Sequence, residues 1–388
     1  MTTQPEETFS AKPASWQEAL KIYTFLIVQG ITLLFALGAA LMGLLSLAGI
    51  GVTFSVPMVY ASVYAIGYAI TLFGISLWNH RLATHGAGKT HKWLKYIFSA
   101  CGAMAGQGFF YAWVGFHWEH HGHTDKPCKG KPEGQACDPH TPLDGFWHAD
   151  RGWLVKGADL VLHPHWVKAE TRLAKIDAQF EDAIDEARRS KLIKNRADEL
   201  DLIENREIMK WFDRTMVGWF LVSLFVPGVI TGLFIQSWDA FLIGTLICGF
   251  GRMGAVNQAT SLVNSYEHMK HFPGNYRHFE GVGANSSNNW WIALFNPEGF
   301  HWWHHVFPWS MNHGVYWYER MLDHTANFVW VLEKLGLFWD VRWVTVNDVR
   351  EMEQKIRNGP AIIAANREKR LRAEKDDLSG DGAAQSST

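Results

Sequence analysis

The chain has 388 residues, of which 48% are hydrophobic, 14% aromatic and 19% charged, and this composition excludes a disordered protein. The formal net charge is -2 without a basic patch, so we expect no nucleic-acid partner. The apolar residues are concentrated in two blocks. No Lys or Arg lies between Lys21 and Arg81, and Arg252 is the one Lys or Arg between Arg214 and Lys270. Such blocks predict a membrane protein with several spans.

The first apolar block predicts a transmembrane hairpin. Residues 1–20 are polar and acidic, and we expect a cytosolic tail rather than a secretory signal. Residues 21–49 and 52–78 are each long enough to cross a hydrocarbon core, which needs about 20 residues. The second span leads into His80 and His85, whose i to i+5 spacing does not share one face of a regular helix. The helix must therefore end or distort between them.

Residues 93–115 are apolar and run almost directly into His117. A full span here would put the pair His80 and His85 on the opposite side of the membrane from the cluster that begins at His117. We therefore favour an interfacial helix, with a third span as the alternative. The following stretch 168–210 carries charges of both signs at helical spacing. It predicts solvated helices, with a partner-docking surface as the alternative.

The second block predicts another hairpin, from spans at 216–235 and 240–263. Arg252, Asn257 and Gln258 are costly in lipid and should face a protein interior. Lys and Arg are concentrated on the side where the spans meet the histidine clusters, so the positive-inside rule places the active site and both termini in the cytoplasm.

The predicted fold class is therefore an all-α, multi-pass membrane protein with four transmembrane helices in two hairpins. Residues 21–365 form the membrane domain, whose cytosolic helical cap comprises residues 79–215 and 264–365. The cap carries a histidine-rich site for two metals. Residues 366–388 are predicted to be a disordered C-terminal tail.

Histidine clusters are the main chemical signal. The spacing H-x-x-H-H occurs twice, and positions i, i+3 and i+4 project from one face of a helix, so each triplet is predicted to present three imidazoles to one point. The nine candidate imidazoles are those of His80, His85, His117, His120, His121, His268, His301, His304 and His305. Imidazole suits iron, copper and zinc, and nine are too many for one ion and suitable for two. A zinc hydrolase needs three ligands and an open position, whereas a pair of redox metals that activates O2 suits oxidation of a lipid chain.

The four cysteines suit a reducing compartment or a chain that does not depend on disulfides. Cys128 and Cys137 lie nine positions apart among histidines, which raises the alternative of a small zinc site. The usual paired C-x-x-C spacing is missing, which argues against that alternative.

Four motifs together resemble the integral membrane fatty acid desaturases, in the branch of stearoyl-CoA desaturase and the bacterial Δ9 desaturases. They are H-R-x-x-x-H at 80–85, H-x-x-H-H at 117–121 followed by D-P-H at 138–140, N-S-x-x-H at 264–268 and E-G-F-H-x-x-H-H-x-F-P at 298–308. The resemblance covers about residues 55–342. It implies that the nine histidines bind two iron ions and that Asn264 holds a water on one of them. An insertion at 122–137 separates His121 from Asp138 and borders the region where the family receives acyl carrier and redox partner.

The resemblance implies O2-dependent desaturation of a long fatty acyl chain, of the Δ9 type. The substrate would be an acyl-CoA, an acyl-lipid or an acyl-carrier protein, and membrane lipid would surround the spans. An external electron donor such as cytochrome b5, ferredoxin or a reductase is expected, because the sequence has no H-P-G-G haem motif and no flavin or nucleotide motif. The alternatives are a hydroxylase, acetylenase or decarboxylase on the same centre, and a non-catalytic membrane metal-binding protein.

Small residues in the second span suggest where an acyl tail could run. Ala65 and Gly67 are the candidates, with close helix packing as the alternative.

Overall fold

A computed structural model describes residues 55–127, 137–153 and 196–358. The predicted tails at 1–20 and 366–388, the predicted first span at 21–49 and residues 168–195 of the charged stretch lie outside these described residues. The chain divides into two units. The first comprises Met1–Arg277 and Gly283–Trp343, and the second comprises His278–Val282 and Val344–Thr388.

Helices dominate the first unit, as the sequence predicts. They are α1 Ser55–Gly74, α2 Lys92–Ala103, α3 Phe110–His123, α4 Arg196–Ile235, α5 Trp238–Gly244, α6 Arg252–Ser265, α7 Trp290–Phe295, α8 His301–Val306, α9 Trp317–Arg320 and α10 His324–Lys334. The π-helical segments Ile75–Thr84 and Thr245–Gly251 follow α1 and join α5 to α6, a 3-10 turn spans Pro142–Asp144 and a further π-helical turn spans His148–Gly152. Strand β1 Lys89–Thr90 pairs antiparallel with β4 Phe338–Trp339, and β2 Asn275–Tyr276 pairs antiparallel with β3 Asn288–Asn289.

Within the described residues, three helical segments are long and apolar enough to cross a membrane: Met58–Thr84, Glu204–Ile235 and Trp238–Ser265. They correspond to three of the four predicted spans. Helix α4 runs for 40 residues, so part of the charged stretch and the third predicted span form one continuous helix. The remaining predicted span, at residues 21–49, lies outside the described residues and stays a prediction.

The apolar stretch 93–115 is interrupted and does not form one span. Helices α2 and α3 have 12 and 14 residues, fewer than the roughly 20 that a bilayer core needs. The connection contains Gly106 at φ 70° and Gly108 at φ 85°, a region of backbone conformation that favours glycine. The alternative of a third full span here was wrong.

The polar side chains of the second block face the protein interior, as predicted. Arg252 is 1% exposed, and its guanidinium donates to Thr71 Oγ1 of α1 at 3.0 Å and to Ser223 Oγ of α4 at 2.6 Å. Gln258 donates from Nε2 to Asp150 Oδ1 at 3.0 Å. Hydrogen bonds of this kind offset the cost of placing polar groups within a span, and they tie three helices together.

Two contacts hold the histidine-bearing elements against the spans. The carboxylate of Asp213 in α4 accepts hydrogen bonds from the backbone N–H groups of Phe110 at 2.7 Å and Tyr111 at 3.1 Å, in the first turn of α3. Tyr68 of α1 donates its hydroxyl to the carbonyl oxygen of Phe295 at 3.2 Å, at the end of α7. The long helices α1 and α4 therefore fix where α3 and the segment before α8 begin.

Candidate metal centre

The first histidine pair lies where the helix changes type. His80 is in the π-helix Ile75–Thr84, and the backbone N–H of His85 donates to the carbonyl oxygen of His80 at 3.2 Å. A π-helix closes its turns with bonds between residues five apart, so such residues lie one above the other. The two ring centroids are 5.0 Å apart. The predicted distortion is therefore confirmed, and it brings His80 and His85 together.

The other clusters come from three elements. His117, His120 and His121 occupy the last turns of α3, and α8 begins at His301 and carries His304 and His305. His268 follows the end of α6 by three residues. Long-range packing of α3, α6, α8 and the π-helix thus has to assemble the site.

The nine imidazoles form two adjacent groups, each of which could hold a metal ion. The five-histidine group contains His80, His85, His117, His121 and His304, and the four-histidine group contains His120, His268, His301 and His305. In the first group, Nε2 of His304 lies 2.8 Å from Nε2 of His121. In the second, Nε2 of His301 lies 3.0 Å from the Nε2 atoms of His268 and His305. Two nitrogens bound at about 2.1 Å to one ion, at right angles, would be about 3.0 Å apart, so the spacing fits a shared ion in each group.

The prediction that each H-x-x-H-H triplet serves a single point is wrong. In α3, His117 and His121 belong to the five-histidine group and His120 to the four-histidine group. In α8 the assignment is reversed, with His304 alone in the five-histidine group. Positions i+3 and i+4 differ by about 100° around a helix, which is enough to direct them at different ions. Each triplet therefore bridges both groups and keeps them side by side.

Burial keeps six of the nine imidazoles neutral. Burial, reinforced by the neighbouring imidazoles, lowers the pKa well below its usual value for His85, His117, His121, His301, His304 and His305. A metal ion binds the neutral ring, because the lone pair of a protonated nitrogen is not available. These six rings are therefore in the protonation state that metal binding requires.

Three carboxylates contact the Nδ1 atoms of three imidazoles. Asp138 Oδ1 lies 3.0 Å from His120 Nδ1, and Asp125 Oδ1 lies 3.3 Å from His268 Nδ1. Glu298 Oε2 lies 2.6 Å from Nδ1 of His80 in the five-histidine group. A carboxylate at Nδ1 is the usual partner of a metal-binding histidine, because it fixes the tautomer and leaves Nε2 free to bind. In the sequence, Asp138 and Glu298 stand out only as members of motifs with no predicted role, and no pattern pointed to Asp125.

Glu298 is held by a buried network of its own. It accepts a hydrogen bond from Ser76 and lies 3.1 Å from His313 Nδ1 and 3.4 Å from Arg81 Nη2. Burial alone would raise the pKa of Glu298, but its contacts with His313, His80 and Arg81 together hold that pKa well below its usual value. The Glu298 carboxylate is therefore charged. Sequence analysis assigned His313 no role, because it stands outside the four motifs.

Glu267, directly before His268, is a second acid that sequence analysis missed. It is fully buried, and within the described part of the chain neither carboxyl oxygen has a hydrogen-bonding partner. Burial, and then the charge of Glu298, raises the pKa of Glu267 well above its usual value. Its carboxyl group is therefore neutral beside the four-histidine group.

Asn264 lies in the last turn of α6, one helical turn before His268, and is half-buried. His140 is buried, with its ring centroid 4.3 Å from that of His120. Asn264 is therefore close to the four-histidine group along the chain, and His140 is close to it in space. The water-mediated role of Asn264 stays a prediction.

The cysteines are in two states. Cys137 is disulfide-bonded, whereas Cys101 and Cys248 are free. The expectation of a reducing compartment, or of a chain that does not depend on disulfides, stays a prediction. A sulfur in a disulfide is not a thiolate, so Cys137 does not serve the alternative zinc site. Cys128 lies outside the described residues.

The structure gives Gly67 a packing role. A Cβ at Gly67 would lie 2.8 Å from Cδ of Arg252, so this glycine lets Arg252 cross α1. Gly67 also lines an apolar cavity of about 680 Å³ between α1 and α4, whereas Ala65 is not among its described lining residues. Along α1 the lining runs from Met58 to Thr71, and the described lining contains no candidate metal ligand. An acyl slot that involves Ala65 or Gly67 stays a prediction.

Known proteins of three kinds are similar to this chain over more than two thirds of its length. The chain is 31% identical over 292 residues to the sn-1 stearoyl-lipid 9-desaturase of Anabaena variabilis, covering 72% of this chain and 84% of that protein. It is 28% identical over 293 residues to the hex-5-enoyl-[acyl-carrier protein] acetylenase of Moorena producens (strain JHB), covering 72% and 75%. It is 28% identical over 298 residues to the acyl-CoA C20 Delta5-desaturase of Anemone leveillei, covering 74% and 75%.

The sequence pattern that defines the family called fatty acid desaturase matches residues 55–343. That range contains all nine candidate imidazoles and the three carboxylates that contact them. The chain belongs to the fatty acid desaturase family.

Proposed function

We infer that this protein is an O2-dependent oxidoreductase that introduces a double bond into a long fatty acyl chain by means of two iron ions. The observation that carries the inference is the pair of adjacent groups of imidazoles with Nε2 atoms about 3 Å apart. Zinc prefers four ligands, and a redox-inactive ion does not activate O2, so five imidazoles in one group favour iron. The five-histidine group would hold one ion. The four-histidine group, with Asn264 acting through water, would hold the other.

The residues of this chain bind and orient rather than react. The rings would offer Nε2 to the ions, and carboxylates at Nδ1 keep three of those rings in the productive tautomer. Burial of His80, His120, His268, His301 and His304 keeps bulk water away from the centre. When bound, the irons supply the redox chemistry. Overall, O2, two electrons and two protons are consumed, two hydrogens leave adjacent carbons, and a double bond and two waters form.

Substrate carrier and double-bond position are inferred from relatives. The relatives described above act, by their names, on an acyl-lipid, an acyl-carrier protein substrate and an acyl-CoA. A Δ9 position is supported by the lipid 9-desaturases of Anabaena variabilis and Synechocystis, and by the Delta-9 acyl-lipid desaturase 1 of Arabidopsis thaliana. We propose a long-chain acyl-lipid as substrate, with an acyl-CoA or acyl-carrier protein as the other options.

The setting is a membrane. Three apolar helices support integral membrane placement, and the excess of Lys and Arg at their histidine-bearing ends supports a cytoplasmic active site with both termini on the same side. An external donor such as cytochrome b5, ferredoxin or a reductase would supply the electrons.

Acetylenation is the second candidate, favoured by the 28% identity to an acetylenase over 75% of that protein. It would use the same two groups of imidazoles, with an acyl chain that already carries a double bond. Mass separates the products, because each desaturation removes two hydrogens and hydroxylation adds one oxygen.

The test is gas chromatography with mass spectrometry of lipids from cells that express the protein. We expect a new monounsaturated acyl chain with wild type, and none with His301→Ala at equal protein level, because Nε2 of His301 lies 3.0 Å from the Nε2 atoms of two other members of the four-histidine group. Replacement of His324, which is exposed on α10, by Ala serves as the control and should keep wild-type product. Identical lipid profiles for wild type and His301→Ala would refute the function.

A further inference from the structure

The insertion at 122–137 is closed at its base by two aspartates. The backbone N–H of Asp125 donates to Asp138 Oδ2 at 2.8 Å, and the backbone N–H of Asp138 donates to the carbonyl oxygen of Lys126 at 3.0 Å. Asp125 has φ 61°, a left-handed conformation that costs energy in most residues and that Asp tolerates better than most. The two ends of the insertion therefore meet at one point.

That point lies against the four-histidine group and not against the five-histidine group. Asp138 Oδ1 is 3.0 Å from His120 Nδ1, and Asp125 Oδ1 is 3.3 Å from His268 Nδ1. The Nε2 atoms on the other side of these rings face their own group, with His120 3.2 Å from His305. Each aspartate thus contacts the rear of an imidazole whose front faces the candidate ion.

Further hydrogen bonds hold the two carboxylates in place. Asp125 Oδ2 accepts from the backbone N–H of Asn285 at 2.8 Å, and Asp138 Oδ1 accepts from the backbone N–H of His140 at 3.2 Å. Asp138 is 0% exposed and Asp125 is 8% exposed. Because backbone groups fix these oxygens, the imidazoles are positioned by the fold rather than by mobile side chains.

The five-histidine group receives its carboxylate from elsewhere. Glu298 contacts His80, and Arg81 shares this carboxylate at 3.4 Å. Among the described contacts, the carboxylates that contact the Nδ1 atoms are therefore shared out between the two groups of histidines. Two belong to the four-histidine group, and one, paired with a guanidinium, belongs to the five-histidine group.

We propose that Asp125 and Asp138 are positioning residues that set the metal affinity of the four-histidine group alone, so that the ends of the insertion control one of the two ions. This inference rests on the proposed two-iron function. Removing a supporting carboxylate from a metal-binding histidine typically weakens metal binding about 10–100-fold, because the ring loses basicity and orientation. The loss should fall on one ion, since neither aspartate contacts a ring of the five-histidine group within the described residues.

The experiment compares purified full-length wild type with Asp125→Asn and Asp138→Asn. Each protein is loaded anaerobically with Fe(II) and challenged with increasing chelator, and the retained iron is counted by mass spectrometry and examined by Mössbauer spectroscopy. We expect each variant to release one ion at about 10–100-fold lower chelator than wild type, and the spectrum of the retained ion to be the same in both variants. The double variant should lose that same ion and keep the other.

Asp150→Asn is the matched control, because Asp150 is a buried carboxylate that accepts from Gln258 and Ser265. It should retain both ions, and thermal unfolding of the metal-free proteins should show that the single variants are folded. Equal loss of both ions, unchanged retention in both variants, or the same loss with Asp150→Asn would overturn the inference. If wild type itself binds fewer than two ions, the proposed function fails, whereas two ions in wild type with unchanged variants contradicts this inference alone.

Discussion

Replacing His304 by Ala should abolish double-bond formation while leaving the protein in the membrane. Nε2 of His304 lies 2.8 Å from that of His121 and 3.0 Å from that of His80, so its removal opens the five-histidine group at its centre. Loss of a ligand should cost more than the 10–100-fold that follows loss of a partner behind a ligand, so we expect at least about a 100-fold drop in product. The measurement is product per unit of membrane-integrated protein.

His324→Ala is again the control for expression and handling, because that exposed ring starts α10 and belongs to neither group. Wild-type product from His304→Ala would remove His304 from the site. An equal drop in the control would show that the loss is not specific to the candidate centre.

Replacing Arg81 by Met should destabilise the protein by about 3–5 kcal/mol, because it leaves buried charges without a partner. The Arg81 guanidinium is fully buried and donates to Asp323 Oδ1 at 2.9 Å, to the carbonyl oxygen of Met311 at 2.6 Å and to that of Pro297 at 3.0 Å. These bonds join the π-helix to both sides of α8. The measurement is the free energy of unfolding of the purified protein in detergent.

The comparison variant is Lys89→Met, which removes an ion pair with Asp340 whose carboxylate side chain is 67% exposed. Exposed pairs contribute about 0–1 kcal/mol, so this variant should unfold close to wild type. Adding Asp323→Asn to Arg81→Met should restore part of the lost stability, since it removes the uncompensated charge. If Arg81→Met unfolds within about 1 kcal/mol of wild type, the network does not support α8 as described.

The sequence predicted that the nine histidines lie together, but not how they divide into two groups. Helical spacing identified each triplet, yet it did not reveal that His120 and His304 belong to a different group of imidazoles from their neighbours. That division depends on where α3 and α8 face each other, which is a tertiary property. By contrast, the distortion between His80 and His85 followed from helix geometry alone.

The supporting carboxylates could not be predicted, because they come from distant parts of the chain. Glu298 is 218 positions from His80, and Asp125 is 143 positions from His268. No local periodicity connects such pairs. Glu298 and Asp138 are the acidic residues of two of the motifs, and this was a usable signal. An acidic residue close to histidine ligands in a motif is a candidate partner for the Nδ1 atom of such a ligand.

Hydropathy predicted the described spans because lipid imposes length and composition on a helix. It did not predict that α4 continues from the charged stretch into the membrane as one helix of 40 residues. Charged residues and apolar residues can both form a helix. A change in composition therefore predicts where a helix would enter a membrane, but not where the helix ends. The glycines that interrupt 93–115 were visible in the sequence, and their positive φ angles explain why that stretch does not span.

The most direct test of the account is the iron content of the purified protein. Two groups of imidazoles predict two iron ions per chain, measured by mass spectrometry of protein isolated without added metal and compared with the protein concentration from amino-acid analysis. His304→Ala should carry fewer than two. A wild-type protein that carries two irons supports the two-site centre, whereas one that carries a single ion, or zinc in place of iron, would contradict it.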